Sequence, residues 1–398
     1  MKEKVLFVVP SLCGGGAEKT IANLSLVLSK KYDLSIVVFN DTETKYSYAG
    51  ELIALGKSKN KNKLEKVLFT LTAVSKIKKI KKERQIDYSI SFLATADLIN
   101  ILSAYRHTKN IVSIRNTDSF NHKGNINYLF TKFACRKADH IVSISEQVKK
   151  DIVSRFKINK NKITTIYNPA IRTDFGNSKM MFDEEFFKNP VFVNIGRLTK
   201  QKGQWHLIKA FSSVVKQYSN AKLLILGEGK LKDELKALIK HYKLEKSVYL
   251  LGFVENPYDY LSKSRCFVFS SLYEGLGNSI LEAMTCSIPI ISTDCISGPR
   301  EILAPNTDWE KKTTENVDYA KYGILVPGFK NVLDTNNYTI IPEEEKMAEA
   351  IKEVISNNEL CKNYRKLSKK RSEDFNIDKI AAEWEEVMLN TKKQSKAK

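Results

Sequence analysis

One local pattern, an apolar run followed by a glycine-containing loop and then a helix, occurs near the start of each half of the chain. In the first half an apolar run at 4–9 leads into the glycines at 14–16, and in the second half a run at 191–195 leads into a loop at 196–203. Alternating strands and helices are typical of parallel sheets that helices cover on both faces. The sequence therefore predicts an α/β fold with two Rossmann-like, doubly wound domains that face each other across a cleft.

Two stretches between the halves mark the domain boundary. Residues 167–170 contain a chain-breaking proline, and the segment 174–189 that follows is polar. We therefore assign 1–172 to an N-terminal domain and 188–375 to a C-terminal domain. In open parallel sheets, ligands bind at the carboxyl ends of the strands, so functional residues are expected in the loops there.

Composition narrows the class of protein without fixing its partner. The apolar content of 42% supports sizeable cores, and no run approaches the roughly 18 apolar residues of a membrane span. The six cysteines are scattered without a C-x-x-C pair, which indicates a reducing cytoplasm and argues against a zinc site. The formal net charge of +20 is compatible with nucleic acid, an anionic membrane face or a phosphate-rich substrate.

The segment 57–84 concentrates this positive charge. It carries eleven Lys or Arg residues, against the two acids Glu65 and Glu83. Apolar residues recur within it at helical spacing, namely Leu64, Val67, Leu68, Leu71, Val74 and Ile77. This combination predicts a basic amphipathic helix that attaches the protein to an anionic membrane surface. A solvated helix face is the alternative interpretation.

The second half also contains groups suited to a phosphorylated sugar. Arg197 and Lys202 supply two cations, Gly227 permits close approach of the backbone, and Glu274 and Glu282 supply carboxylates. The loop that carries Glu274 precedes a helix, and a helix N-terminus with its free N–H groups suits a phosphate. Together these groups fit a diphosphate joined to a sugar on one side and to a ribose on the other. The alternative is that the acids and Arg197 are ordinary surface residues.

Over essentially its whole length the chain resembles a retaining glycosyltransferase of family 4, with the GT-B fold. The matching motifs are Gly14-Gly15-Gly16-Ala17-Glu18, Gly196-Arg197-Leu198 with Lys202, Gly227-Glu228-Gly229, and Glu274 with Glu282 as an E-x7-E motif. The stretch 292–303 resembles a subgroup that assembles O-antigen, capsule and lipid-linked oligosaccharides.

The resemblance implies a donor site in the C-terminal domain and an acceptor site in the N-terminal one. Arg197, Lys202 and Glu274 are the candidate catalytic residues: the two cations would hold the donor diphosphate, and Glu274 would contact the sugar hydroxyls. The other donor-binding candidates are Glu282 for the ribose, the backbone near Phe253 and Val254 for the base, Gly227, and the backbone amides of Gly275, Leu276, Gly277 and Asn278.

On the acceptor side, the resemblance implies that Gly15 and Gly16 border the cleft. Many relatives have a histidine just after the strand that corresponds to 111–114, where this chain has Arg115 and Asn116. None of the five histidines clearly replaces it, so Arg115 or Asn116 is expected to contact the donor sugar instead. The resemblance also implies that a final helix at about 376–391, including Trp384, crosses back to the first domain.

These implications give one leading function and two alternatives. The leading one is retaining transfer of a sugar from a nucleotide donor, with UDP favoured, to a glycan on a polyprenyl-diphosphate carrier, at the cytoplasmic face of the cell membrane. No metal cofactor is expected, since no D-x-D motif occurs, and no nucleic-acid partner is expected. A nucleotide-sugar epimerase of the same fold, and a non-catalytic basic binder of membrane or nucleic acid, are the alternatives.

Overall fold

The computed structural model describes residues 2–40, 44, 46–56, 63–115, 126–172, 180–330, 332–335 and 337–396. It divides into two compact units. Unit 1 comprises Met1–Pro169 and Ile377–Lys398, and unit 2 comprises Ala170–Asn376. Each unit is an α/β domain with its own sheet, which confirms the predicted fold class.

Unit 1 is built on a seven-stranded parallel sheet in the order β3-β2-β1-β4-β5-β6-β7. Its strands are β1 (Lys4–Val9), β2 (Asp33–Val38), β3 (Glu51–Ala54), β4 (Tyr88–Phe92), β5 (Lys109–Ile114), β6 (His140–Ser143) and β7 (Ile163–Thr165). Its first five helices are α1 (Gly16–Leu28), α2 (Lys63–Glu83), α3 (Ala94–Leu102), α4 (Ile126–Lys137) and α5 (Glu146–Phe156).

Strand β1 shows why the apolar runs are continuous. Its side chains alternate between two cores, because neighbouring residues of a strand point to opposite faces of the sheet. Val5 and Phe7 pack in the core on the α1 face, whereas Leu6 and Val8 pack in the core on the α2 and α3 face. Since helices cover both faces, every position of the strand after Lys4 is buried and apolar.

Unit 2 is built on a second seven-stranded sheet in the order β10-β9-β8-β11-β12-β14-β13, with only β13 antiparallel to its neighbour. Its strands are β8 (Val191–Ile195), β9 (Lys222–Leu226), β10 (Val248–Gly252), β11 (Cys266–Phe269), β12 (Ile290–Thr293), β13 (Asp318–Ala320) and β14 (Gly323–Val326). Its helices are α6 (Gln204–Gln217), α7 (Lys232–His241), α8 (Pro257–Lys263), α9 (Asn278–Thr285), α10 (Pro299–Leu303), α11 (Pro342–Ser356) and α12 (Asn358–Ser372).

The last helix, α13 (Ile377–Lys396), belongs to unit 1 and extends beyond the end expected at 391. It packs beside α1, and Trp384 is buried in the unit 1 core against the ring of Phe92, with ring centroids 5.5 Å apart. The N-terminal unit therefore contains residues from both ends of the chain.

Helix α2 (Lys63–Glu83) occupies most of the predicted basic segment 57–84, and its two halves differ in burial. In its second half Ile77 is buried in the core, whereas Val67, Leu68 and Leu71 in its first half are exposed. Lys81, one of the cations of the segment 57–84, is also buried. The Nζ atom of Lys81 donates to three oxygens of Asn100 and Asn110, each at 2.8 Å, which compensates for its loss of water. Residues 57–62 lie outside the described part of the chain.

Candidate active site

The predicted donor residues of unit 2 all lie at one edge of its sheet. Strands β8, β9, β10, β11 and β12 are parallel, so the loops that follow them meet at the carboxyl edge. These loops begin with Gly196-Arg197, Gly227, Phe253-Val254, residues 270–277 and Asp294, in that order. The topology alone therefore gathers residues that are up to about a hundred positions apart in the sequence.

Lys202 and Glu274 form an ion pair at this edge. The Nζ atom of Lys202 donates to Oε1 of Glu274, and the two side chains are only 18% and 10% exposed. The hydroxyl of Ser271 donates to the same oxygen at 2.8 Å, and Nε2 of Gln201 donates to Oε2 at 3.3 Å. The carboxylate is thus fixed by three donors, which sets its orientation.

The short turn at 200–202 is held against the loop after β11 by main-chain contacts. Gly203 has a φ of +61°, and a Cβ there would lie 2.3 Å from the carbonyl oxygen of Ser270. The amide of Leu272 donates to the carbonyl of Gln201 at 2.8 Å. Only a glycine permits this close approach, so Gly203 helps to set the position of Lys202 relative to Glu274.

The loop 273–277 leads directly into α9. Gly277 caps that helix in a left-handed conformation, with a φ of +98°. A second loop, at 296–298, packs against the loop 273–277. The hydroxyl of Ser297 donates to the carbonyl of Gly275 at 2.7 Å, and Gly298 lies against the carbonyl of Leu276. The N–H groups at the start of α9 are thereby held at the carboxyl edge, where they can bind an anion.

A buried ion cluster anchors the supporting loop. Both Nε and Nη2 of Arg300 donate to Oδ2 of Asp294, at 2.9 and 2.6 Å, and Nη2 also donates to Asp318 at 2.9 Å. The amide of Thr313 donates to the same oxygen of Asp294 at 2.7 Å. The cluster therefore ties Thr313 and Asp318, which lie in the polar segment 304–321, to the end of β12.

Arg197 and Gly227 lie on adjacent loops. The side chain of Arg197 is exposed and forms no ion pair within the described residues. Gly227 has a φ of +142°, and a Cβ there would lie 2.1 Å from the carbonyl oxygen of Gly196. The lack of a side chain at Gly227 thus allows the loop after β9 to pack against the loop after β8.

The remaining donor candidates are Phe253 and Val254, which follow the end strand β10, and Glu282, which lies in the helix after the central strand β11. Gly252 accepts a hydrogen bond from the amide of Gly227 at 2.7 Å, which places the following residues, Phe253 and Val254, beside the Gly227 loop. Phe253 is 70% exposed. Glu282 lies in α9, partly buried, one turn beyond the first residue of that helix.

In unit 1 the glycine loop after β1 is held by Glu18. One carboxylate oxygen accepts a hydrogen bond from the hydroxyl of Ser11 at 2.5 Å, and the other accepts from the amide of Gly14 at 2.7 Å. Gly15 and Gly16 are exposed at the start of α1. A Cβ at Gly15 would lie 3.4 Å from Oε2 of Glu18, so the carboxylate lies directly behind this loop.

Arg115 lies at the end of β5 and is almost completely buried. Its Nη2 donates to Oδ1 of Asn168 at 2.6 Å, an oxygen that also accepts from the hydroxyl of Thr20 at 3.1 Å. Its Nε has no hydrogen-bond partner within the described residues. Burial lowers the pKa of Arg115 to about 9, although nearby Asp97 acts in the opposite direction. Asn116 lies outside the described residues.

Burial has the opposite effect on two acidic groups near these sites, because it raises the pKa of a group that is neutral when protonated. The pKa of the Asp97 carboxyl is raised well above its usual range by burial, which its hydrogen bond from Ser91 at 2.7 Å only partly opposes. In unit 2, burial raises the pKa of the Cys295 thiol to about 12, and the charge of Glu274 contributes. Cys295 is therefore a neutral thiol at physiological pH, not a nucleophile.

Sequence reasoning missed several polar residues of these sites. Gln201, Ser271, Asp294 and Asn168 all hold a candidate residue or its loop in place. Their signal in the sequence is weak: Gln201, Asp294 and Asn168 lie in stretches named above, at 196–203, 292–303 and 167–170, and Ser271 lies three residues before Glu274. Residue type alone does not distinguish them from ordinary loop residues.

Two features are absent from the part of the chain that the structure describes. No helix there is long and apolar enough to cross a bilayer. No three or more His, Cys, Asp or Glu side chains among those residues are grouped so that they could bind a metal ion.

Two family models match the chain, one in each half. Residues 14–171 match the model described as Glycosyltransferase Family 4, and residues 178–319 match that of Glycosyl transferases group 1. Together the matches include nearly all of the candidate residues of both units.

Relatives match over almost the full length. An uncharacterized glycosyltransferase of Methanocaldococcus jannaschii is 36% identical over 92% of this chain and 94% of its own. The N-acetylgalactosamine-N,N'-diacetylbacillosaminyl-diphospho-undecaprenol 4-alpha-N-acetylgalactosaminyltransferase of Campylobacter jejuni is 30% identical over 95% of this chain and 97% of its own.

The fold resembles that of a solved structure. The crystal structure of HepE from Anabaena, in complex with UDP, superimposes with a TM-score of 0.72 at 17% identity, covering 97% of this chain and all of HepE. The fold, the motifs and the full-length relatives agree, and the chain belongs to the family 4 glycosyltransferases of the GT-B fold.

Proposed function

We propose that this enzyme is a retaining glycosyltransferase that moves a hexose or N-acetylhexosamine from a UDP-sugar to a lipid-linked glycan, in the assembly of a bacterial surface polysaccharide or related glycan. The observation that carries the proposal is the Lys202–Glu274 pair beside the start of α9. The Campylobacter relative is named for a diphospho-undecaprenol acceptor, and HepE was crystallised with UDP. Both support these substrate classes.

Each group of the candidate site has a role in this reaction. Lys202, Arg197 and the amides of 275–278 bind the diphosphate, and they stabilise it further as negative charge develops on it during departure. Glu274 accepts hydrogen bonds from hydroxyls of the donor sugar, and Glu282 accepts them from the ribose. The backbone of Phe253 and Val254 contacts the base.

The geometry of attack determines the product. The acceptor hydroxyl attacks the anomeric carbon on the face from which UDP leaves, so the new glycosidic bond keeps the configuration of the donor. In unit 1, Gly15 and Gly16 border the acceptor and Arg115 contacts the sugar. The reaction requires no metal cofactor, because the cations and the helix start neutralise the diphosphate.

Lys202 provides the sharpest test of the diphosphate site. A hydrogen bond to a charged group contributes about 1.5–3 kcal/mol, so Lys202→Ala should weaken UDP binding by about 10- to 150-fold. Lys200 lies in the same turn with its side chain exposed. Lys200→Ala removes an equal charge, and we expect it to change UDP affinity by less than about 3-fold, because exposed charge pairs contribute little.

Transfer itself is tested with radiolabelled donors. The purified chain is incubated with UDP- and GDP-sugars and a polyprenyl-diphosphate-linked oligosaccharide, with and without EDTA, and the anomeric configuration of the product is read by NMR. We expect transfer from a UDP-sugar with retained configuration, unaffected by EDTA and abolished by Glu274→Ala. Conversion of a UDP-sugar without an acceptor would instead identify an epimerase, and an inverted product would contradict the retaining mechanism.

The last part of the proposal concerns where the enzyme is located. We place the enzyme in the cytoplasm, attached peripherally to the inner face of the membrane through the basic segment 57–84. The exposed cations of α2, Lys78, Lys79 and Lys82, support this placement. Each contributes about 1 kcal/mol near an anionic surface. A nucleic-acid partner is not part of the proposal.

A further inference from the structure

The segment 288–304, which runs through β12 and α10, has a single exposed residue, Ile296. The structure describes the whole of this segment, and every residue in it other than Ile296 is buried. Ile296 itself is 56% exposed, in the loop 296–298 that follows β12. An isolated exposed apolar residue is ordinary on a protein surface, but one in the middle of an otherwise buried segment requires an explanation.

The polarity around Ile296 is the reverse of what burial alone selects. Asp294, Ser297 and Arg300 are buried, whereas the apolar residue between the first two is exposed. Burying a polar side chain costs free energy unless it is hydrogen-bonded. Here Asp294 and Arg300 bond to each other, and Ser297 bonds to the carbonyl of Gly275. The buried polar residues therefore stabilise the loop, and the exposed apolar one is not needed for its folding.

The backbone fixes the position of Ile296. The next two residues, Ser297 and Gly298, both have positive φ values, +70° and +95°. For a serine this conformation is uncommon, and strained positions of this kind cluster at ligand-binding sites. Cys295, which precedes Ile296, is also buried. Ile296 is thus held in one place by buried neighbours on both sides.

Ile296 is a direct neighbour of Glu274. The amide of Glu274 donates to the carbonyl oxygen of Ile296 at 3.2 Å, and Tyr273 pairs with Ile296 in an isolated parallel bridge. The Glu274 carboxylate, paired with Lys202, is the group that the proposed function assigns to the hydroxyls of the donor sugar. The exposed apolar residue therefore lies beside the place assigned to the transferred sugar.

The chemistry of isoleucine restricts which sugar fits beside it. A hexose carries a hydroxyl group at C2, and burying a hydroxyl against a side chain that can neither donate nor accept a hydrogen bond costs free energy. An N-acetylhexosamine carries an acetamido group there, whose methyl group gains free energy by leaving water. A buried methyl group contributes about 0.8 kcal/mol, which is a factor of about 4 in affinity.

We propose that Ile296 packs against the acetamido methyl group of the donor sugar and so selects a UDP-N-acetylhexosamine over the corresponding UDP-hexose. The inference rests on the proposed function, because that function supplies the UDP-sugar and the role of Glu274. It goes further in naming one class of sugar and the residue that selects it. Contact of Ile296 with UDP itself is not part of the inference.

Calorimetric titration of the full chain tests this selection without an acceptor. UDP-N-acetylglucosamine is compared with UDP-glucose, and UDP-N-acetylgalactosamine with UDP-galactose, so that each pair differs only in the substituent at C2. We expect wild type to bind the N-acetylated member of at least one pair more tightly, by about 4-fold or more. Ile296→Ser should lower this affinity ratio to about 1, whereas Ile296→Val, which remains apolar, should keep most of it.

Two controls separate sugar selection from a general disturbance of the site. UDP has no sugar beyond its ribose, so Ile296→Ser should bind it within about 2-fold of wild type, as expected for a change at an exposed position. Met181 is another exposed large apolar residue of unit 2, in the segment that leads into β8. Met181→Ser should keep both the UDP affinity and the affinity ratio of wild type.

Four results would overturn the inference. They are equal or weaker binding of the N-acetylated sugar by wild type in both pairs, an unchanged ratio in Ile296→Ser, an equal loss of the ratio in Met181→Ser, and a loss of UDP affinity in Ile296→Ser as large as its loss of the ratio. A wild type that binds no UDP would refute the proposed function, and this inference with it. A wild type that binds UDP but does not discriminate within either pair would refute this inference alone.

Discussion

Replacement of Gly298 by alanine tests how the loop 273–277 is supported. A Cβ at Gly298 would lie 1.8 Å from the carbonyl oxygen of Leu276 and 2.4 Å from its carbon, and the backbone there has a φ of +95°. Neither atom belongs to a flexible side chain, so the two loops must move apart.

The loss of stability in Gly298→Ala has two sources, the positive φ and the steric overlap of the new Cβ with Leu276. A non-glycine residue in a sparsely populated backbone conformation costs about 1–3 kcal/mol, and overpacking costs about 1–3 kcal/mol more. Gly298→Ala should therefore lower the free energy of unfolding of unit 2 by about 2–6 kcal/mol. Since 1 kcal/mol shifts Tm by about 2–4 °C in a domain of this size, Tm should fall by at least about 4 °C. Because Leu276 moves with its loop, UDP affinity should fall by about 10-fold or more.

Calorimetry and UDP titration measure both effects, with Gly328→Ala as the matched control. Gly328 also lies in unit 2, and a Cβ there would meet nothing closer than 3.6 Å, the carbonyl oxygen of Asp294. We expect that variant to match or slightly exceed wild type in Tm, since alanine restricts the unfolded chain. A Gly298→Ala protein with the Tm and UDP affinity of wild type would refute this account of the loop.

Two further predictions concern buried charged or titratable groups. Arg300→Met leaves Asp294 buried without its main partner, so the free energy of unfolding, measured in urea, should fall by about 3–5 kcal/mol. Lys311→Met, at an exposed neighbouring position, should lower it by less than about 1 kcal/mol. Equal losses in the two variants would contradict the role of the cluster. Burial lowers the pKa of His140 from 6.5 to about 4, so the unfolded chain takes up the proton more readily and stability is lost as the pH falls from 6.5 toward 4. The free energy of unfolding should be about 2 kcal/mol lower at pH 5 than at pH 7.5, as measured by urea unfolding at both pH values. This difference should be absent in His140→Asn.

The fold was predictable from the sequence because its signals are local. Continuous apolar strands such as 4–9 and 191–195, each followed by a glycine loop and a helix, depend only on residues close together in the chain. The first residue of β6, His140, is buried there and hydrogen-bonded to Thr164 at 2.9 Å.

The support of the candidate site was not predictable in this way. The contact of Ser297 with Gly275 and that of Asn168 with Arg115 join residues whose proximity is fixed only by the packed sheets. Periodicity likewise shows that α2 has an apolar stripe and a basic one, but not which part meets the core. The buried ammonium group of Lys81 is satisfied by two asparagine side chains from other elements, Asn100 of α3 and Asn110 of β5.

The return of α13 to unit 1 has a consequence for synthesis on the ribosome. All seven strands of the first sheet are translated before unit 2, but Trp384 and Ile380, which complete their core, are translated after it. Unit 2 is one uninterrupted segment and has all of its residues before then. Unit 1 therefore begins before unit 2 but is completed after it, and a premature stop before residue 377 leaves its interior open to water.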